Sequence, residues 1–172
     1  VMEGKCALFK AFAGIDAVPI CIDSKDPKEI IDTVYNISKS FGGINLEDIS
    51  APRCFEIERA LIEKCDIPVF HDDQHGTAII VSAGLLNAVK YTKKEMGKLK
   101  IVINGAGSAG ISIAKMILRL QFGDVTLVDR FGAIYDGNPE NNSEQQKMAL
   151  VTDRDKKKGT LADVIKDADI FV

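Results

Sequence analysis

The chain has 172 residues, of which 46% are hydrophobic and 27% charged, with a net charge of −3. That length allows one ordinary domain or two small or incomplete ones. The charge gives no electrostatic reason to expect nucleic acid or an anionic membrane as partner, and no apolar run reaches the ~18 residues that a membrane span requires.

Residues 5–13 (KCALFKAFA) place apolar side chains at helical spacing, with Gly14 positioned as the residue after the C-cap. Residues 17–22 (AVPICI) read as a buried strand closing on Asp23, and Pro19 argues for an edge position or a strand start. Behind Pro27, which suits a first helical turn, Ile30, Ile31, Val34 and Ile37 recur at helical spacing. Gly42 and Gly43 close that unit. A short strand at 44–46 then ends on Glu47 and Asp48, and Ser50, Ala51 and Pro52 form a turn. Residues 53–64 are helical again, with Phe55, Ile57, Leu61 and Ile62 on the apolar side, and 67–70 return as a strand.

The next stretch, residues 68–77 (PVFHDDQHGT), is both the hinge of the chain and its candidate active site. A strand delivers Asp72 and Asp73 to its C-terminal end, and a long apolar segment suited to a buried helix leaves directly afterwards. Strand–helix–strand–helix–strand predicts parallel pairing through right-handed crossovers. Parallel strands place their C-terminal ends on one edge, so Asp23, Glu47, Asp48, Asp72 and Asp73 are expected on one rim. Clustered carboxylates without basic partners repel one another, and a divalent cation with a preference for hard oxygen ligands, Mg²⁺ or Mn²⁺, removes that penalty. Taken singly, each acid also reads as loop solvation or a helix cap. Glu47 and Asp48 can share an ion only if the strand has already turned, because neighbours on a strand face opposite sides. His71 and His75 stand i, i+4, a zinc spacing if helical, but they lie in a strand-to-helix junction. The four cysteines form no CxxC pair and read as small buried hydrophobes in a reducing cytoplasm.

Residues 99–104 (LKIVIN) form a strand that runs straight into Gly105-Ala106-Gly107-Ser108-Ala109-Gly110. A helix follows, and a second strand at 125–128 ends at Asp129, 24 residues beyond the first glycine. This is the whole context of a dinucleotide-binding fingerprint. The glycines let the backbone approach a pyrophosphate at a helix N-terminus, where the dipole favours anions, and Asp129 is placed to accept hydrogen bonds from a ribose. A 2′-phosphate there would cost on the order of 4 kcal/mol per charge pair at ~4 Å before screening, so NAD is expected over NADP, with Arg130 as the complicating charge. Residues 132–142 are a loop, 145–151 weakly helical, and 153–158 (DRDKKK) a solvated turn. Thr160 with Asp163 reads as an N-cap starting a helix to Ala168, and 169–172 as a further parallel strand. Both ends of the chain read as cut, so a fragment of a longer protein is expected. The fold class is α/β: a parallel βαβ portion over residues 1–71, then an incomplete Rossmann-type domain over 72–172.

With those residues in place, the chain resembles the malic enzymes in their bacterial-type short form. The likeness rests on VMEGK at the start, FAGIDAVPICID, FGGINLEDISAPRCFEIE, PVFHDDQHGTA, INGAGSAG and VDRFGAIYDG. The resemblance implies a cytoplasmic, homodimeric or higher-order oxidoreductase that converts malate to pyruvate and CO₂ with a divalent metal and NAD or NADP. It implies Glu47, Asp48 and Asp73 as metal ligands, Lys5 as the catalytic lysine, Asp72 as its supporting acid, and the glycine loop with Asp129 and Arg130 as the cofactor site. To act as a base near pH 7, such a lysine must lose roughly 3 pKa units, about 4 kcal/mol. The family's catalytic tyrosine and its substrate-binding asparagines are expected outside this segment, so the segment alone is expected to be inactive. Cys6 and residues 141–158 depart from the family pattern and carry no expected role. Two other readings stay open: a non-catalytic nucleotide-binding fragment, and a dinucleotide-linked oxidoreductase without metal.

Overall fold

The computed structural model describes residues 1–172. Two sheets organise it, one of two strands and one of four. The first is built from β1 (Ile44–Leu46) and β2 (Val69–His71), paired in parallel with Leu46 beside His71. Helix α3 (Arg53–Lys64) makes the crossover between them, and α1 (Met2–Ala13) and α2 (Pro27–Ile37) precede them. Local chemistry explains the helix ends. Gly14 closes α1 at φ 67°, and its N–H reaches the Lys10 carbonyl at 3.1 Å. Asp26 caps α2 by accepting from the N–H groups of Lys28 (2.7 Å) and Glu29 (3.2 Å).

A π-helical turn, Asp72–Gly76, leads from β2 into α4 (Thr77–Thr92). Beyond it, β3 (Leu99–Asn104), α5 (Ser108–Arg119) and β4 (Gly123–Asp129) form a parallel βαβ unit paired from Leu99–Gly123 to Asn104–Val128. The two-residue β5 (Gly132–Ala133) turns back antiparallel on β4. After α6 (Ser143–Ala149) and α7 (Leu161–Val164), β6 (Ile170–Phe171) adds in parallel to the other side of β3.

The structure corrects several expectations. No strand forms at 17–22: Val18 is 65% exposed, Pro19 offers no N–H, and no neighbouring strand lies there to pair with. The run lines an apolar cavity of about 650 Å³ with Ile30, Val34 and Phe41 instead. Asp23 is consequently exposed on irregular chain and stands outside the carboxylate cluster. The apolar helix after the hinge does form, but it is one-sided. It packs on α5 through one face and leaves Ile80 70% exposed. The helix from Thr160 stops at Val164, although Thr160 and Asp163 do form a capping box. The segment 153–158 is more than a solvated turn, since Asp153 is 4% exposed under β4 and burial pushes its carboxyl pKa up.

One helix joins the two halves. Ile57 and Leu61 of α3 are fully buried with Ile30, Ile31, Val34 and Leu46, while Cys54 and Phe55 are buried with the apolar side chains of β3, α5 and β4. Each such aliphatic or aromatic side chain is worth roughly 1.5–3 kcal/mol on burial. Cys54 belongs to this packing, and burial lifts its thiol pKa to about 11, far from thiolate chemistry.

Polar contacts cross the same boundary. Arg59 of α3 donates to Glu144 of α6 at 3.1 Å, and Lys147 donates to the same oxygen at 2.6 Å. Glu144 is 3% exposed. Burial works against its charge, but Lys147 and Arg59 outweigh burial and hold its pKa at about 2 against an ordinary 4.5. The depressed folded-state value means the stabilisation is full above pH 4.5 and is lost as pH falls toward about 2. Glu144→Gln should therefore cost on the order of 3 kcal/mol at pH 7, shrinking steadily below pH ~4. Urea denaturation of both proteins at pH 7 and pH 3 measures this; an equal deficit at both would exclude the ion pairs as its source.

Candidate active site

Parallel pairing of β1 with β2 sets their C-terminal ends side by side, and each end delivers acids. Glu47 and Asp48 follow Leu46 immediately, and Asp72 and Asp73 follow His71. Asp48 has φ 55°, in the left-handed region. The strand has thus turned at the position where two neighbouring carboxylates would otherwise face opposite sides. The outcome is a cluster in which one carboxylate oxygen each from Glu47, Asp48 and Asp73 lie within 4.8 Å of one another.

Lys5 reaches this group from α1. Its ammonium donates to Asp72 and lies 3.1 Å from Glu47, and the Glu47 side chain is only 6% exposed. Four carboxylates therefore share one ion-paired cation. The Asp72 hydrogen bond raises the Lys5 pKa, burial opposes that, and Glu47 adds to the rise. The surroundings favour the ammonium, the opposite of what a free base needs. A Cβ on Gly76 would run into the Asp72 carboxylate, so only glycine leaves room for this arrangement.

The histidines serve the turn rather than a shared metal. His71 is fully buried, and its N–H donates to Glu58 at 3.2 Å. His75 turns outward and meets the same Glu58 through Nε2 at 2.6 Å, its ring 5.6 Å from that of Phe70. Neither histidine joins the carboxylate cluster.

The second site lies at the C-terminal edge of β3 and β4. A cavity of about 550 Å³ is lined by Gly105, Ala106, Gly107, Asp129 and Arg130, among others. Ser108, Ala109 and Gly110 open α5, whose first N–H groups have no intrahelical partner. At Gly110 any Cβ would collide with the Gly105 carbonyl, which is how close the helix comes to the loop. Asp129 accepts from the Phe131 N–H at 2.8 Å and from the Gln145 side chain at 3.0 Å. Gln145 also donates to the Ala106 carbonyl at 3.2 Å, so it ties the acid to the glycine loop. The Arg130 guanidinium sits 4.6 Å from the Phe131 ring centre.

The sequence reading assigned no role to residues 141–158, yet Asn142 and Gln145 line this cavity, and so does nearby Glu140. The available signal was the Asn142-x-x-Gln145 spacing, which forms a capping box at α6 and fixes the Gln145 backbone under the loop.

Two family models match this chain. Residues 74–170 match the family model described as malic enzyme, NAD binding domain, and residues 1–62 match malic enzyme, N-terminal domain. The chain belongs to the malic enzyme family. It is 55% identical to an NAD-dependent malic enzyme of Geobacillus stearothermophilus, covering all of this chain and 36% of that protein. It is 51% identical to a bifunctional malic/malolactic enzyme of Bacillus subtilis, covering 42% of it. The crystal structure of the NAD-dependent malic enzyme of Thermotoga maritima superposes with a TM-score of 0.96 at 47% identity, over 99% of this chain and 46% of that one. Malic enzymes named for NAD and for NADP both match along the full length. The chain spans less than half the length of each relative described here.

Gly76→Ala tests the packing of the turn. A helix entrance normally gains roughly 0.5–1 kcal/mol from this change, whereas forcing Asp72 aside costs about 1–3 kcal/mol. The melting temperature should therefore fall, and a rise would mean that Asp72 moves away without penalty.

Proposed function

We propose that this chain carries part of the catalytic centre of an enzyme that oxidatively decarboxylates malate to pyruvate and CO₂, with a divalent metal and NAD(P). Residues 1–71 would form part of its substrate domain and residues 72–172 an incomplete Rossmann-type cofactor domain. The carrying observation is that one carboxylate, Glu47, belongs both to the three-acid cluster and to the hydrogen-bonded surroundings of Lys5. Metal ligation and proton transfer would then meet at a single point.

The donor set fits a hard dication. Oxygens bound to Mg²⁺ at 2.0–2.1 Å lie at most roughly 4.2 Å apart, so a cluster already within 4.8 Å needs only a small contraction. Glu47, Asp48 and Asp73 would hold the ion. Once bound, the metal would polarise the oxygens of a 2-hydroxy acid and the dinucleotide would take up hydride.

Part of the remaining chemistry belongs to this chain. Lys5 holds a proton at Nζ and donates it in a hydrogen bond to Asp72, which fixes where Nζ stands; once that proton has left to solvent, Nζ can act as base on the substrate hydroxyl. The missing Cβ of Gly76 leaves the Asp72 carboxylate room to make that hydrogen bond. The glycine loop and the α5 N-terminus suit the pyrophosphate, and Asp129 the adenosine ribose.

The proposal includes a preference for NAD. Asp129 and Glu140 make the cavity acidic, and the Arg130 guanidinium lies against Phe131. A homodimeric or larger assembly is also proposed, since α1 buries none of its residues and leaves Phe12 85% exposed.

In the full-length protein, Asp73→Asn should weaken Mn²⁺ binding by at least ~100-fold while NAD affinity stays near wild type. Calorimetric titration of both ligands checks this, and unchanged Mn²⁺ affinity would remove Asp73 from the ligand set. For the cofactor, wild type should favour NAD in kcat/KM. Asp129→Ala should move the ratio toward NADP by about tenfold, the size of a charge pair once screened. A wild type that already favours NADP would refute the role given to Asp129.

A further inference from the structure

We infer that Glu58 is the positioning residue of the acid-bearing turn, an inference that rests on the metal reading above. Glu58 projects from α3, is 5% exposed, and has no lysine or arginine ion-paired to it. A buried carboxylate without such a partner is costly unless hydrogen bonds satisfy it. Its Oε1 accepts one, from the His71 backbone N–H at 3.2 Å, and makes a close polar contact with His75 Nε2 at 2.6 Å. Those two groups flank Asp72, Asp73 and Gln74, one at the end of β2 and the other at the entrance to α4.

The turn needs such a brace. It is a single π-helical turn, a geometry that is rare and confined to short stretches, and one isolated turn draws no support from helix propagation. Left to itself, the segment between His71 and His75 would have many arrangements, of which few point Asp73 at Glu47 and Asp48 while pointing Asp72 at Lys5. By gripping both ends with one oxygen, Glu58 shortens the span and selects the arrangement seen here. Gly76 completes the fixation from within, because its missing Cβ leaves the Asp72 carboxylate its place. Glu58 touches neither substrate, cofactor nor the cluster, so its effect passes through the turn alone.

The test uses the full-length protein with Glu58→Ala, Glu58→Gln and His75→Ala. It measures Mn²⁺ affinity by electron paramagnetic resonance, NAD affinity by calorimetry and the hydrogen exchange of the His71 amide. Glu58→Ala should raise the Mn²⁺ Kd about tenfold, leave the NAD Kd within about twofold, and speed exchange at His71. Glu58→Gln should restore most of the Mn²⁺ affinity, because its carbonyl can still accept from the His71 N–H and face His75 Nε2. Wild-type Mn²⁺ affinity in Glu58→Ala, or an equal loss of Mn²⁺ and NAD affinity, would overturn the inference, the latter by marking a general structural role. If Glu58→Ala does not fold, His75→Ala decides instead. His75 is 42% exposed and tolerates truncation; a selective loss of Mn²⁺ affinity supports the brace and no loss overturns it. A wild type that binds no Mn²⁺ overturns the metal reading itself, and this inference with it.

Discussion

The ammonium of Lys5 pairs with Glu47 and Asp72, and Glu47 in turn clusters with Asp48 and Asp73. At separations of 4–5 Å and an effective dielectric near 20, each unscreened like-charge pair costs on the order of 3–4 kcal/mol. Such a group persists only if the scaffold forces it and a countercharge is available. The scaffold does so with backbone that cannot easily relax: the parallel register of β1 with β2, the left-handed Asp48, and a π-helical turn closed on Gly76. The missing countercharge is the physical basis for proposing a bound dication.

Helix α3 carries much of that scaffold. Successive residues on a helix point about 100° apart, and α3 uses every direction. Ile57 and Leu61 enter one core, Cys54 and Phe55 the other, Glu58 meets the acid-bearing turn, and Arg59 meets Glu144 beneath the cofactor cavity. A rigid element with contacts on both sides in this way restrains how far the two sites can shift relative to one another, which the proposed hydride transfer would require.

On the cofactor side, Asp129 is already held by the Phe131 N–H and by Gln145 before any ligand is present. An acceptor fixed in advance loses little entropy on binding. The same two bonds would restrain Asp129 from turning away from a 2′-phosphate, which is how the proposed preference for NAD would arise.

Some of this was readable without coordinates, and the division has a physical cause. Residues 44–46, 53–64 and 99–104 have the extents read from their patterns, because helix and strand periodicity is a local property. The glycine loop was legible for the same reason: its spacing, strand and helix are contiguous. The parallel order of β1 and β2 followed from the alternation of elements, and with it the meeting of Glu47, Asp48 and Asp73. Local pattern misled where burial depends on distant chain. Residues 17–22 look like a strand but find no partner, Ile80 belongs to an apolar helix with only one covered face, and Asp153 in a charged run is buried under β4. The Glu58 bridge spans 13 residues to His71, and Gln145 reaches back 39 to Ala106. Contacts of that range leave no periodic trace, since the partners are brought together only when α3 and α6 have packed in place. Sequence alone determined most of the elements and which side chains they carry; the direction of each carboxylate was decided by tertiary packing, because a side chain's aim depends on neighbours that the local chain does not contain.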